Sequence, residues 1–197
     1  GGICAVVPID MSDRVSIREA VVSVEEQLGT ITTLVNNAGM PDAQWAVKQS
    51  DELIDTVMGT NLTGPYILSC EVARKLMQEK LPGRMVNIAS MAAFNTTSQS
   101  AAPLYSITKK ALVRMTEALA VEWAGRNINV NAIAPGFFSS EMTDGMLERI
   151  GDITPTLNRK RIPTAEQMDS TLLFLLSPSS ECVTGTCIKI DDGQMSR

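Results

Sequence analysis

Tyr105 and Lys109 stand four residues apart in a stretch, 103–125, whose apolar spacing predicts a long helix. Both side chains therefore fall on one face, about a turn from each other. A free phenol titrates near pH 10, and a neighbouring ammonium favours the phenolate. Such a pair can act as a general acid and base nearer neutral pH. The chain contains no histidine, so this chemistry would replace the usual imidazole. Taken alone, such a pair is far more often a half-buried tyrosine beside a solvated lysine. Its weight comes from the order of its neighbours. Asn36-Asn37-Ala38-Gly39 follows one apolar run, Ser90 closes the next, Tyr105 and Lys109 come on the helix after it, and Pro135-Gly136 ends the run beyond.

The elements that must position these residues alternate. Residues 3–9 form a β-prone run, and Ser12 or Asp13 offers an N-cap for a helix that stops near Gly29. Residues 31–35 predict a second strand running into the Asn36–Gly39 turn. From Asp42 to about Lys80 the pattern is helical, and Gly59 and Gly64-Pro65 predict a break into two helices. Residues 84–89 and 128–134 read as buried strands flanking the helix at 103–125, and 187–190 as a last strand. A helix is expected at about 164–176, and residues 139–161 form a weakly patterned helical insertion. Continuous apolar strands alternating with helices specify a doubly wound α/β domain, a parallel sheet covered by helices on both faces. Ligands of such sheets bind beyond the carboxyl ends of the strands, which here carry Asp10, Asn36 to Gly39, Ser90 and Pro135 to Ser140.

Composition narrows the function classes. At 197 residues and 44% hydrophobic content, the chain is sized for a single core, spanning 1–197 as one domain. A formal net charge of -5, with scattered lysine and arginine, argues against a nucleic-acid partner. Cys4, Cys70, Cys182 and Cys187 lack any CxxC spacing, so neither a zinc site nor any other metal is expected, and the absent histidine rules out a Ser/His/Asp hydrolase. No apolar run approaches the roughly 18 to 20 residues of a membrane span, and no signal-like N-terminus is present. The expected location is the cytoplasm.

Five stretches resemble the classical short-chain dehydrogenase/reductase family: Val35-Asn36-Asn37-Ala38-Gly39, Thr60-Asn61-Leu62, Val86-Asn87-Ile88-Ala89-Ser90, Tyr105-Ser106-Ile107-Thr108-Lys109 and Val130-Asn131-Ala132-Ile133-Ala134-Pro135-Gly136. The resemblance runs from about Asp10 to Gly193. It implies an NAD(P)-dependent oxidoreductase that interconverts a carbonyl and a secondary alcohol, with the family's tetrad carried onto Asn61, Ser90, Tyr105 and Lys109. Tyr105 would exchange the proton, Ser90 would hold the substrate oxygen, Lys109 would lower the tyrosine pKa and contact the ribose, and Asn61 would help hold a water relay. For NAD or NADP it implies contacts from Asp10 near the adenine; from Asn36, Ala38 and Gly39 along the ribose and pyrophosphate; and from Pro135, Gly136, Phe138 and Ser140 toward the nicotinamide, besides Tyr105 and Lys109. Asn37 is expected to be structural, tying neighbouring strands by its amide. Residues 139–161 would be a substrate lid, with Phe94, Met142, Met146 and Leu147 lending the pocket an apolar character. A homodimer or homotetramer pairing 63–77 and 103–123 is also implied.

The sequence departs from the family at three points. The resemblance implies a first strand and glycine-rich turn before residue 1, so a first βαβα portion of roughly 50 residues, by the size of a βαβ unit, would be missing and residues 3–9 would be an orphaned strand, the favoured expectation being that the sequence is part of a longer protein. The loop from Ser90 to Tyr105 is slightly long. Asp191-Asp192-Gly193 stands where a double glycine is commoner, which puts local backbone packing and a subunit contact in question. The absent turn motivates an alternative, a non-catalytic truncated relative acting as a binding or scaffold subunit. A nucleotide-binding module that shares only the doubly wound topology would leave the ordered motifs unexplained.

Overall fold

The computed structural model describes residues 2–96 and 102–195. Its sheet holds four parallel strands, β1 (Thr33–Asn36), β2 (Gly83–Ile88), β3 (Ile128–Pro135) and β4 (Cys187–Ile190), in that spatial order. The helices are α1 (Arg14–Leu28), α2 (Asp51–Met58), α3 (Gly64–Glu79), α4 (Pro103–Trp123), α5 (Glu141–Ile150) and α6 (Asp169–Leu176). Parallel neighbours need crossovers, and the chain supplies them as helices on both faces. On one face Met85, Ile128 and Val130 pack with Val72 and Leu76 of α3 and Leu112, Leu119 and Trp123 of α4. On the other, Val86 and Ile133 meet Leu175 of α6. Each such side chain withdrawn from water contributes about 1.5–3 kcal/mol.

Capping follows the sequence signals. Asp13 caps α1 by accepting from the Val15 N–H at 2.8 Å, and Gly29 ends it at φ 84°. The strands at 84–89, 128–134 and 187–190 lie within a residue of their expected bounds. The expected helix at 164–176 is a 3-10 turn at Ala165–Met168 leading into α6.

One expectation is corrected. Residues 3–9 form no strand; Ile3 and Val6 stay 89% and 93% exposed. A β-prone run without a neighbour for its backbone donors has no ladder to join, and its side chains find no surface to cover. The expected division at Gly59 and Gly64-Pro65 into two helices is present, as α2 and α3. The backbone continues from α2 through a π turn, Gly59–Thr63, into α3, with the Gly64 N–H reaching back to the Gly59 carbonyl. Pro65 falls in the first turn of α3, and the widened π turn removes the clash that proline would cause in a regular helix interior.

Gly64 is required by a close approach: a Cβ there would overlap the Met11 carbonyl oxygen and lie 3.0 Å from the Gly59 oxygen. Both opposing atoms are backbone and cannot move aside singly. Gly64→Ala is therefore expected to destabilise the fold by more than about 3 kcal/mol, well above an ordinary surface substitution. Urea unfolding followed by circular dichroism checks this, and a loss under about 1 kcal/mol would show that the π turn relaxes freely.

Candidate active site

The residues with chemical potential converge at the carboxyl ends of β1, β2 and β3. Lys109 enters from α4 and is only 3% exposed, and its Nζ donates to the carbonyl of Ile88, the last residue of β2, at 2.7 Å. Gly39 passes close by: a Cβ on it would lie 3.1 Å from Lys109 Nζ and 3.5 Å from Asn61 Oδ1. Glycine at 39 thus lets the turn after β1 approach the ammonium closely. Tyr105 precedes Lys109 by one helical turn, with Nζ 5.6 Å from the ring centroid, and its phenol hydrogen-bonds with Ser90. Ser90 also caps the short 3-10 turn at Met91–Ala93 by accepting from the Ala92 N–H at 3.1 Å.

Asn61 is delivered by the π turn. The extra residue rotates the helix so that this fully buried amide grips Met40 on both sides, its Oδ1 accepting from the Met40 N–H at 2.9 Å and its Nδ2 donating to the Met40 carbonyl at 2.9 Å. The same Nδ2 donates to Thr108 Oγ1 at 3.2 Å, and Thr108 in turn donates to the Tyr105 carbonyl at 2.9 Å. Asn61, Gly39, Ser90, Tyr105 and Lys109 therefore form one contiguous cluster. Thr108 was not singled out from sequence, although it lies inside the Tyr105–Lys109 motif.

Burial dominates the electrostatics. It draws the Lys109 ammonium down to about 8 from an ordinary 10.5. It also raises the Tyr105 phenol above its usual value, an effect the Ser90 hydrogen bond partly opposes. The lowering expected from Lys109 does not figure in this arrangement, where desolvation is opposed by the Ser90 hydrogen bond.

The remaining expected contacts divide. Ala38 is exposed and Gly39 partly so, at the mouth of the cluster. Asn36 is buried with its amide donating to Asn87 Oδ1 at 2.8 Å and to Ser69 Oγ at 3.0 Å, so its side chain ties β1 to β2 and α3. The strand-tying role expected of Asn37 belongs to Asn36, while Asn37 is exposed: the final residue of β1 points inward and its successor outward. Asn87 extends the tie to Thr116 at 2.8 Å. Gly136 and Pro135 lie at the end of β3, where a Cβ on Gly136 would stand 3.0 Å from Asp191 Cα. Phe138 is buried, whereas Ser140 is exposed and caps α5 by accepting from the Thr143 N–H at 3.2 Å. Asp10 is exposed, its carboxylate accepting from the Ser12 N–H and hydroxyl at 2.8 and 2.7 Å, which holds its pKa below the ordinary value. Those local bonds leave it outside the cluster.

Asp192, standing where a glycine was anticipated, adopts φ 51° and is held by Arg159 and Arg161. Aspartate tolerates this left-handed conformation better than most residues. The long loop after Ser90 lies partly outside the described residues. Among the described residues no cluster of potential metal ligands occurs, and no helix is long and apolar enough to cross a membrane.

This architecture is matched by known proteins. A family model described as enoyl-(acyl carrier protein) reductase matches residues 1–195. A 2-dehydro-3-deoxy-D-gluconate 5-dehydrogenase of Dickeya dadantii is 33% identical over 191 residues, 95% of this chain and 75% of that protein. A 3-oxoacyl-[acyl-carrier-protein] reductase of Thermotoga maritima is 33% identical over 187 residues, 94% of this chain and 74% of the relative. Among solved structures, a short-chain type dehydrogenase/reductase from Mycobacterium marinum superposes with a TM-score of 0.94 at 27% identity, covering 100% of this chain and 78% of that one. A 4-hydroxyisoleucine dehydrogenase complexed with NADH gives 0.82 at 27% identity over 94% and 78% of the two chains. An actinorhodin polyketide ketoreductase with NADPH gives 0.88 at 28% identity over 94% and 76%. The chain belongs to the classical short-chain dehydrogenase/reductase family of oxidoreductases.

The buried ammonium makes a measurable demand on stability. Because the folded protein holds the Lys109 proton less tightly than the unfolded chain, the charge costs stability below about pH 8, and the cost fades as pH rises toward 10.5. Relative to Lys109→Met, the wild type should gain up to about 3 kcal/mol of unfolding free energy between pH 8 and 10.5. Denaturant unfolding of both proteins across that range checks it, and parallel pH curves would show that the ammonium is not desolvated.

Proposed function

We propose that the chain interconverts a ketone and a secondary alcohol with NAD or NADP, Tyr105 serving as the proton donor and acceptor. The observation that carries this reading is the contiguity of Tyr105, Lys109, Ser90 and Asn61 around the Gly39 backbone. The residues fit a nicotinamide riboside: Lys109 spends one of its three protons on Ile88, which leaves donors for ribose hydroxyls, and Gly39 keeps side-chain bulk away from them. Ala38, Gly39, Pro135, Gly136, Phe138 and Ser140 would complete the cradle. Asn36 can join it through its backbone, since its side chain is committed to the sheet. Asp10 would lie toward the adenine. When bound, the nicotinamide supplies or takes the hydride.

The chain's own groups handle the rest. Ser90 holds the reacting oxygen, and Tyr105 delivers its proton to that oxygen in reduction or removes it in oxidation. The raised tyrosine pKa keeps the phenol protonated, ready for the reductive direction. Lys109, with a pKa near 8, can restore the proton, and Asn61 fixes Met40 and the adjoining turn so that these distances hold. Residues 139–161, including α5 with no buried residue, would act as a lid with Met142, Met146 and Leu147 on its inner side. A second copy would cover the outer faces of α3 and α4, where Tyr66, Ile107 and Val121 are exposed.

The named relatives motivate two probes, an acetoacetyl thioester and a 2-dehydro-3-deoxy sugar acid, each assayed by nicotinamide absorbance with both cofactors. Tyr105→Phe is expected to lower kcat/KM by about 10²- to 10⁴-fold on the probe that turns over. Circular dichroism and NAD(P)H affinity should stay at wild-type values. Full activity in that variant would remove Tyr105 from the chemistry, and a wild-type protein that binds NAD(P)H but transfers no hydride would favour the scaffold reading.

A further inference from the structure

The helix that carries Tyr105 and Lys109 begins without a cap of its own. Ala102 occupies the N-cap position and offers no side-chain acceptor, and Pro103 has no N–H to satisfy. The Ser106 N–H closes the first turn on the Ala102 carbonyl at 3.2 Å. The Leu104 N–H, one residue before Tyr105, goes instead to a carboxylate 62 residues upstream: Asp42 Oδ2, at 2.9 Å.

Two further features mark this contact. Asp42 is only 3% exposed; Gln49 Nε2 also donates to its Oδ2, at 2.5 Å, while its Oδ1 is buried without a hydrogen-bond partner among the described residues. Burying a carboxylate with one oxygen unpartnered is costly, and the positive end of the α4 dipole offsets part of that cost. The next residue, Ala43, sits at φ 44°, a left-handed conformation that alanine adopts only at a penalty. Both costs fall where the loop descending from Gly39 turns inward to meet α4. The same loop is gripped two residues earlier by Asn61 on Met40.

We infer that Asp42 is a positioning residue: as a long-range cap on Leu104 it fixes the start of α4, and with it the Tyr105 phenol, against the loop that carries Ala38 and Gly39. The inference rests on the reading of Tyr105 as proton donor. Asp42 hydrogen-bonds to Leu104 and Gln49 rather than to Tyr105 or Lys109, so it acts through the helix start. An acceptor, rather than a charge, is what the role requires, because the partner is a neutral backbone N–H.

The test uses the intact protein with NAD(P)H and whichever of the two probes turns over. Asp42→Ala and the near-isosteric Asp42→Leu should lower kcat about tenfold or more while the KM for the cofactor stays within twofold. Asp42→Asn, whose amide oxygen still accepts, should remain within threefold of wild type, and Gln49→Ala should match it. In the wild type, hydrogen exchange at the Leu104 amide should be at least a hundredfold slower than in an unstructured chain, a readout that needs no variant to fold. Wild-type kcat in folded Asp42→Ala or Asp42→Leu, an Asp42→Asn as impaired as alanine, or an unprotected Leu104 amide would each overturn the inference. Tyr105→Phe separates the two claims. If it is inactive beside a fully active Asp42→Ala, Asp42 alone is misassigned. If it keeps full turnover, the role of Tyr105 fails and takes this inference with it.

Discussion

A single buried ammonium organises the site. Lys109 reaches from α4 to the carbonyl of Ile88 and closes the gap between that helix and the end of β2. Burial opposes the charge strongly enough to bring its pKa to about 8, so the arrangement persists only because the surrounding packing holds the helix in place. Leu112, Leu119 and Trp123 on the same helix supply that packing against β2 and β3. Hydrophobic burial along the rest of α4 thus offsets an electrostatic cost at one end of it. A group held where it is costly for stability is a recurrent mark of a functional site.

The turn after β1 is the second half of this arrangement. Gly39 allows the backbone to lie beside Nζ, and Asn61 holds the following residue by both of its main-chain groups. Asn61 can do this because five residues of π geometry re-aim the helix between α2 and α3, and glycine at 64 lets that turn pack on Met11. The irregularity is therefore the device that delivers a side chain, as π turns often are.

The asparagines in the motifs separate into two groups with different work. Asn36 and Asn87 form a buried chain through Ser69 and Thr116 that locks β1, β2, α3 and α4 together. Asn131 does the same between β3 and the approach to β4, donating to the Val183 carbonyl and accepting from the Thr186 N–H. These amides set strand register where apolar side chains alone would tolerate slippage. They share a residue type with Asn61, yet only Asn61 borders the proton-transfer pair.

The sequence by itself determined the alternation of helix and parallel strand, the start of α1 at Ser12 or Asp13 and its stop at Gly29, and the membership of the Ser90, Tyr105 and Lys109 group. Each of these rests on local spacing or on a motif within one element. It misread residues 3–9, because a strand exists only with a partner and partnership is not a property of the segment. It placed the division between α2 and α3 at Gly59 and Gly64-Pro65 but not its π geometry, since composition records a helix-breaking residue and not the turn that absorbs it. The choice between Asn36 and Asn37 turned on which way one side chain points at the end of a four-residue strand. Asp42 and Thr108 left no usable signal, for their roles arise from contacts across 62 and 47 residues of chain that only the packed fold brings within hydrogen-bonding distance. Tertiary structure also decided the direction at Tyr105: spacing put a cation beside a phenol, but the depth of burial raises the phenol's pKa, with only the Ser90 hydrogen bond opposing it.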